Sequence, residues 1–387
     1  MLFSFSYFSF SFSFSATLPA LSCSVAQLGV PAAEQLLDTG AARGDEGRPL
    51  VMTHSLGIAS SVLQLVQCAS FDCSTAAPPA RINVTGTALP RLAVTRDSRP
   101  VVAFYNPSLP GNNSIAVLVC ADPACRRHQT AELANAGLRI LEHSTMGLAV
   151  ASDNSPRVAY CDYNTHSLWV GGCVDANCSG QVLGRADTQL SRIDDPGINL
   201  ALSSRDMAVV VYRSGLLNNT LLVCHDDLCI NATRRDLTAQ LNCSTAPALA
   251  LTSDDRPVLV CASYDRTSYQ FVVAVCQDPT CELLQRATTA RRDGRPGSYT
   301  PVQLHQGNLP VFASVVGDST AVGQVTVIAC LDAGCQQMHQ YSNITTNASP
   351  MGRLGLVPMP DYGLVAVSFV LSLSAGVAVC PLPMPTS

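Results

Sequence analysis

Short apolar runs rich in Val, Leu and Ala alternate along the chain with clusters of Asp, Asn, Gly and Pro. Brief runs bounded by turn residues predict hairpin-linked strands rather than helices. The pattern repeats. The stretch RLAVTRDSRPVVAFYNPSLPGNNSIAVLVCADPACRRHQ, beginning at Arg91, aligns with GLAVASDNSPRVAYCDYNTHSLWVGGCVDANCSG from Gly147 and with ALALTSDDRPVLVCASYDRTSYQFVVAVCQDPTCELLQ from Ala248. Each unit reads as strand A (LAVT), a tight turn (RDSRP), strand B (PVVAFY), a variable Gly-, Asn- and Ser-rich loop, strand C (IAVLVC) and a short strand D.

Cysteines mark the period. The first member of a Cys-x4-Cys pair falls at positions 68, 120, 173, 224, 276 and 330, and a solitary Cys380 follows, so successive units lie 50 to 54 residues apart. Seven such units predict an all-β, seven-bladed β-propeller with four strands per blade, in which radial repetition leaves only short protected edges. Strands buried on both faces between neighbouring blades carry continuous apolar runs instead of alternating ones, as these do. A β-sandwich array would need about twice this length per unit.

The pairs Cys68/Cys73, Cys120/Cys125, Cys173/Cys178, Cys224/Cys229, Cys276/Cys281 and Cys330/Cys335 are read as disulfides. Asp-Pro in CADPAC and CQDPTC suits a type I turn, which places the two cysteines opposite each other across a hairpin at bridging distance. A zinc site needs four converging ligands, and consecutive pairs sit a blade apart. Cys380 has no partner after it, and Cys23 has none before it, although SCSVAQLGV resembles the strand D segment NCSGQVLGR. The economical solution makes residues 23–35 strand D of blade 7, with Cys23 bonded to Cys380; blades 1–6 then span about 36–346, and 347–387 supply strands A–C of blade 7. Cys161, Cys243 and Cys261 are left unpaired. Blade 1 keeps an Arg-Pro turn, but LDTGAARGDEGRPL shows no convincing strand A. Residues 362–380, apolar but interrupted by Ser and Gly, read as two strands rather than a membrane span.

The unit also resembles a blade of the sialidase-like, Asp-box-related propeller class. The shared pattern is an apolar strand, an Asp-containing turn, Pro, then a hydrophobic-Tyr strand, as in SDNSPRVAYCDYN at 152–164, and it extends over about residues 47–380. The Asp-box itself, Ser-x-Asp-x-Gly-x-Thr-Trp, is absent, and the single Trp is Trp169. The resemblance implies a secreted or surface propeller, with a sialidase-like glycoside hydrolase as the enzymatic alternative.

Composition narrows the chemistry. All 23 basic residues are Arg, which removes Schiff-base and P-loop lysine chemistry. A net charge of -5 without charge blocks gives no footprint for nucleic acid or an anionic membrane. Seventeen cysteines and eight Asn-X-Ser/Thr sequons (Asn83, Asn112, Asn177, Asn218, Asn231, Asn242, Asn343 and Asn347) point to a secreted eukaryotic glycoprotein. Residues 1–22, apolar and Ser-rich and followed by small residues, read as a signal peptide. No nucleophile elbow, phosphate loop, dinucleotide motif or zinc-protease motif occurs, and the seven His are scattered, so no cofactor or metal is expected.

In propellers, ligands meet the loops at one mouth of the central channel. The D-to-A connections carry Arg91, Glu142, His143, Asp194, Asp195, Arg292 and Arg353 as candidate ligand-binding residues. The expected role is non-catalytic recognition of a glycan or an extracellular protein. The rivals are the sialidase-like hydrolase and a structural module of a larger surface protein.

Overall fold

The computed structural model describes residues 23–28, 35–56, 61–84, 88–106, 114–134, 146–162, 164–188, 190, 197–215, 218–265, 267–297, 300–317, 323–342, 344–345, 348–349, 353–371 and 374–383. The segment read as a signal peptide, 1–22, lies outside them. They form seven antiparallel sheets, the blades of a propeller. The A strands of neighbouring blades adjoin all the way round and line a central channel. They are Gln35–Arg43, Ala88–Val94, Gly147–Val150, Asn199–Leu202, Ala248–Leu251, Val302–His305 and Gly355–Met359. In blade 6 a short segment, Arg295–Pro296, precedes Val302–His305 and pairs with the same B strand.

Blade 4 shows why the runs are continuous. Its strand B, Ala208–Arg213, turns Val209 and Val211 into the core shared with blade 5 and Val210 and Tyr212 into the core shared with blade 3. One apolar cluster fills each of the seven blade junctions. Each side chain so buried contributes about 1.5–3 kcal/mol, largely offset by chain entropy.

Blade 7 is closed by the other end of the chain. Ser24–Leu28 is its outermost strand, antiparallel to Ala375–Pro381 with Ser24 opposite Val379 and Ala26 opposite Val377. The bridge Cys23–Cys380, with Cα atoms 4.2 Å apart, ties this edge. The apolar stretch before it forms two strands, Leu364–Val370 and Ala375–Pro381. Among the described residues no helix is long and apolar enough to cross a membrane.

Three expectations need correction. Blade 1 has a strand A, Gln35–Arg43, paired with Pro49–Leu56. Its small residues fit because inner strands crowd around the channel: a Cβ on Gly40 would lie 3.2 Å from Met52 and 3.4 Å from Leu92. Likewise, a Cβ on Gly355 would overlap the backbone of Gly40 and Ala41. Weak strand propensity is thus the cost of close approach.

The second correction concerns the C–D hairpins. All six Cys-x4-Cys bridges are present, with Cα separations of 4.7 to 4.9 Å. The paired cysteines do not oppose each other across the ladder, however. Cys68 faces Ala76, Cys120 faces His128 and Cys173 faces Gln181. Similarly, Cys224 faces Ala232, Cys276 faces Leu284 and Cys330 faces Met338. The second cysteines, Cys73, Cys125, Cys178, Cys229, Cys281 and Cys335, therefore lie inside the tips and not on strand D. The tip is wider than a four-residue turn, and its chain doubles back to bring the second sulfur to the first. To do so, Cys73 (φ 53°), Cys125 (51°), Cys178 (53°), Cys229 (55°), Cys281 (56°) and Cys335 (55°) all adopt a left-handed backbone. That region favours glycine. A turn hydrogen bond holds each one, running from the Cys73 N–H to the Ser70 carbonyl (3.1 Å) and from the Cys125 N–H to the Asp122 carbonyl (2.9 Å). In the other four, the N–H of Cys178, Cys229, Cys281 or Cys335 donates to the carbonyl of Asp175, Asp226, Asp278 or Asp332 respectively.

Third, Cys243 and Cys261 form a disulfide, with Cα atoms 6.0 Å apart. The ladder of blade 5 pairs Ala248 with Val260, which keeps position 243 out of register with Cys261. The bridge arises outside the ladder. A single helical turn, Thr238–Leu241, and the left-handed Asn242 (φ 49°) fold the D–A connection so that Cys243 enters the blade 4/5 core beside Cys261. Cys161 is buried in the blade 3/4 core and is not in a disulfide.

Candidate functional site

The channel follows from the position of the A strands. One strand from each blade contributes to its wall, which encloses about 170 Å³. Leu92, Leu148, Leu200 and Leu249 line the wall while their side chains pack into the blade-junction cores, and Gly147 and Gly355 have no side chain, so polar groups make up most of the surface facing the channel. Its polar members are Thr39, Arg91, Asn199 and Gln303.

Three of these side chains are held by neighbouring blades. Arg91 Nε donates to the Met146 carbonyl of blade 3 (2.9 Å), and Asn199 Nδ2 donates to the Pro247 carbonyl of blade 5 (2.9 Å). Thr39 Oγ1 donates to the Arg353 carbonyl of blade 7 (2.8 Å). Arg91, Gly147, Asn199 and Ala248 occupy the same register position, opposite Ala103, Ala159, Val211 and Val260. One ring of equivalent positions therefore presents a guanidinium, an amide and small residues near the mouth from which the A strands enter.

At the opposite end, the A–B turns join neighbouring blades. Asn154 Oδ1 of blade 3 accepts the Arg96 N–H of blade 2 (2.8 Å). Both oxygens of Asp206 in blade 4 hold Ser152 of blade 3, and both oxygens of Asp255 in blade 5 hold Ser204 of blade 4. Asn308 of blade 6 continues the series on Ser253 of blade 5, and Gln306 Nε2 reaches the Pro360 carbonyl of blade 7 (2.8 Å). The Arg43–Asp361 ion pair then joins blade 1 to blade 7. Asn154, Asp206, Asp255 and Asn308 share a left-handed backbone, φ 61° to 68°, which Asn and Asp tolerate. The A–B turn of each of these blades thus serves as an inter-blade clasp.

Of the seven candidate residues, the structure places Arg91 in the channel wall and Arg353, 3% exposed, beside it at the blade 7/1 seam. Arg292 lies elsewhere: it pairs with Tyr269 on blade 5, is exposed, and donates to Ser342 Oγ (3.3 Å). Its D–A connection folds back onto its own blade before reaching the mouth. Glu142, His143, Asp194 and Asp195 lie outside the described residues. Thr39, Asn199 and Gln303 escaped the sequence reading, although Asn199 shares the Arg91 offset within the repeat.

No carboxylate lines the channel wall among the described residues. The buried carboxylates among them are Asp162 and Asp187. Asp162 closes the blade 3 B–C loop by accepting the Asn164 N–H (2.9 Å) and the Thr165 hydroxyl (2.7 Å). Asp187 accepts the Tyr212 hydroxyl and pairs with Arg234 at 3.4 Å. Burial first, and then this bond to Asp187, push the Tyr212 phenol up from its ordinary value. Among the described residues no three His, Cys, Asp or Glu side chains group as a metal site.

No protein-family model matches the sequence, and no curated protein matches it. Solved structures share the fold. The polysaccharide lyase Uly1 superposes with a TM-score of 0.53 at 9% identity, covering 92% of this chain and 100% of its own. The GH93 α-L-arabinofuranosidase of Fusarium graminearum, in complex with arabinobiose, gives 0.50 at 12% identity, covering 92% and 97%. The WD40 domain of Toxoplasma gondii coronin gives 0.50 at 9% identity, covering 94% and 87%. Two carbohydrate-active enzymes and a coronin domain thus share one scaffold, and identities this low establish the fold alone.

Proposed function

We propose that this protein is a secreted, non-catalytic carbohydrate-binding propeller that takes a terminal sugar at the D–A mouth of its channel. One observation carries the reading: the ring position that places Arg91 and Asn199 in a channel wall that holds no carboxylate among the described residues. A guanidinium and an amide suit sugar hydroxyls or a uronic carboxylate, as do the polar groups that make up most of the channel surface. The cavity of about 170 Å³ is smaller than the ~300–1,000 Å³ of drug-sized sites, which favours a single terminal residue over a long chain. Eight disulfides fit an oxidising compartment. The carbohydrate activity of the lyase and the arabinofuranosidase is consistent with this reading.

The test is a glycan array probed with the protein lacking residues 1–22, alongside Arg91→Ala. Retention on glycans sharing one terminal sugar is expected, with at least about a tenfold loss in the variant, the scale of one charge-assisted hydrogen bond. Cleavage of the arrayed glycans, or binding indifferent to Arg91→Ala, would overturn it.

A further inference from the structure

The described sequon residues Asn83, Asn177, Asn218, Asn231 and Asn242 are all exposed, and none of their side-chain amides bonds to the described residues. The sequons at Asn112, Asn343 and Asn347 lie outside the described residues. Of the described asparagines outside sequons, Asn154, Asn199 and Asn308 bridge blades through their amides, Asn219 is fully buried and Asn164 is exposed. Asn218 and Asn219 are adjacent, yet one points to solvent and the other into the blade.

Two sequons sit on C–D tips that also expose apolar side chains. Val174, 51% exposed, follows Cys173 on the tip that bears Asn177. Ile230, 70% exposed, immediately precedes Asn231 on the tip of blade 4. Strand D of blade 3 packs against the blade 4 tip, because a Cβ on Gly184 would overlap Leu228. Leu283 on blade 5 is equally exposed, at 70%, but its tip carries no sequon.

We infer that Asn177 and Asn231 carry N-linked oligosaccharides whose inner sugars lie over the apolar tips of blades 3 and 4. In the transfer, Asn Nδ2 bonds to the anomeric carbon of a lipid-pyrophosphate-linked oligosaccharide. The bond from that carbon to the phosphate oxygen breaks, and the lipid pyrophosphate leaves as the amide gives up one proton. The C–H faces of the first sugars then cover Val174 and Ile230, each an exposed apolar side chain close to its own sequon. This site is independent of the channel.

The protein secreted from eukaryotic cells is digested with and without a peptide N-glycosidase. An asparagine-to-aspartate mass shift is expected at positions 177 and 231, and unmodified peptides there would overturn the inference. For the covering role, folded glycoprotein is trimmed enzymatically and titrated with an apolar dye. Dye fluorescence should rise on trimming, and the rise should be lost in Val174→Ser/Ile230→Ser but kept in Leu283→Ser. A signal unchanged by trimming, or a rise that survives the double variant, would overturn it.

Discussion

The side chain that does most per residue in each C–D tip is its aspartate. Asp226 accepts the N–H groups of Leu228 (3.0 Å), Ile230 (3.0 Å) and Asn231 (2.7 Å), so one carboxylate holds the loop that returns to strand D. The Asn231 N–H is the main cause of its lowered pKa, opposed by slight desolvation and helped by the Ile230 and Leu228 N–H groups. The Ser179 hydroxyl does the same for Asp175 on blade 3. A carboxylate whose folded pKa lies below its unfolded one stabilises fully above the unfolded value and loses that contribution as pH falls through the folded one. Stability should therefore decline as pH drops below about 4. Asp226→Ala should cost about 1 kcal/mol at pH 7, allowing for solvent screening, and should narrow the gap in urea midpoint between pH 7 and pH 3. An equal gap in variant and parent would refute this. The turn aspartate was legible in the sequence because its bonds are local. The left-handed backbone of the second cysteine was not, since nothing in its residue type favours φ near 55°.

Between elements, the A–B turns determine how blades meet. Asp255 holds both the N–H and the hydroxyl of Ser204, each at 2.6 Å, across the blade 4/5 junction. Asn154 and Asn308 perform the equivalent task elsewhere, so the position needs a short polar side chain that accepts a left-handed backbone. Asp255→Ala should cost about 1–2 kcal/mol in denaturant unfolding, and Asp255→Asn less than half of that. Equal losses in both would show that charge, not the clasp, matters there. The sequence displayed these turns as Asp-rich repeats, but their partners lie 51 to 58 residues away on the next blade. The link between Cys243 and Cys261 was hidden similarly: a ladder count places them out of register, and only the fold of the D–A connection joins them.

For the whole molecule, the vulnerable feature of a ring is its seam. Ser24–Leu28 completes blade 7, and Cys23–Cys380 spans 357 residues of chain. On the chain-entropy model this bridge contributes up to about 6 kcal/mol, against about 2 kcal/mol for each tip bridge. Cys23→Ala/Cys380→Ala should lower the denaturation midpoint well beyond Cys120→Ala/Cys125→Ala. Comparable losses would mean that the seam is held by Thr39, Arg43 and the blade 7/1 core rather than by the disulfide.

The sequence by itself determined the number of blades, their strand order and the tip disulfides, because each blade is a local unit whose signals fall within about fifty residues. The tertiary structure decided which side chains share the channel wall, how neighbouring turns clasp, and where the D–A connections lead. Those features depend on backbones brought together from different blades. Arg91 and Asn199 lie more than a hundred residues apart in the chain and become members of one ring only when the blades close around the axis.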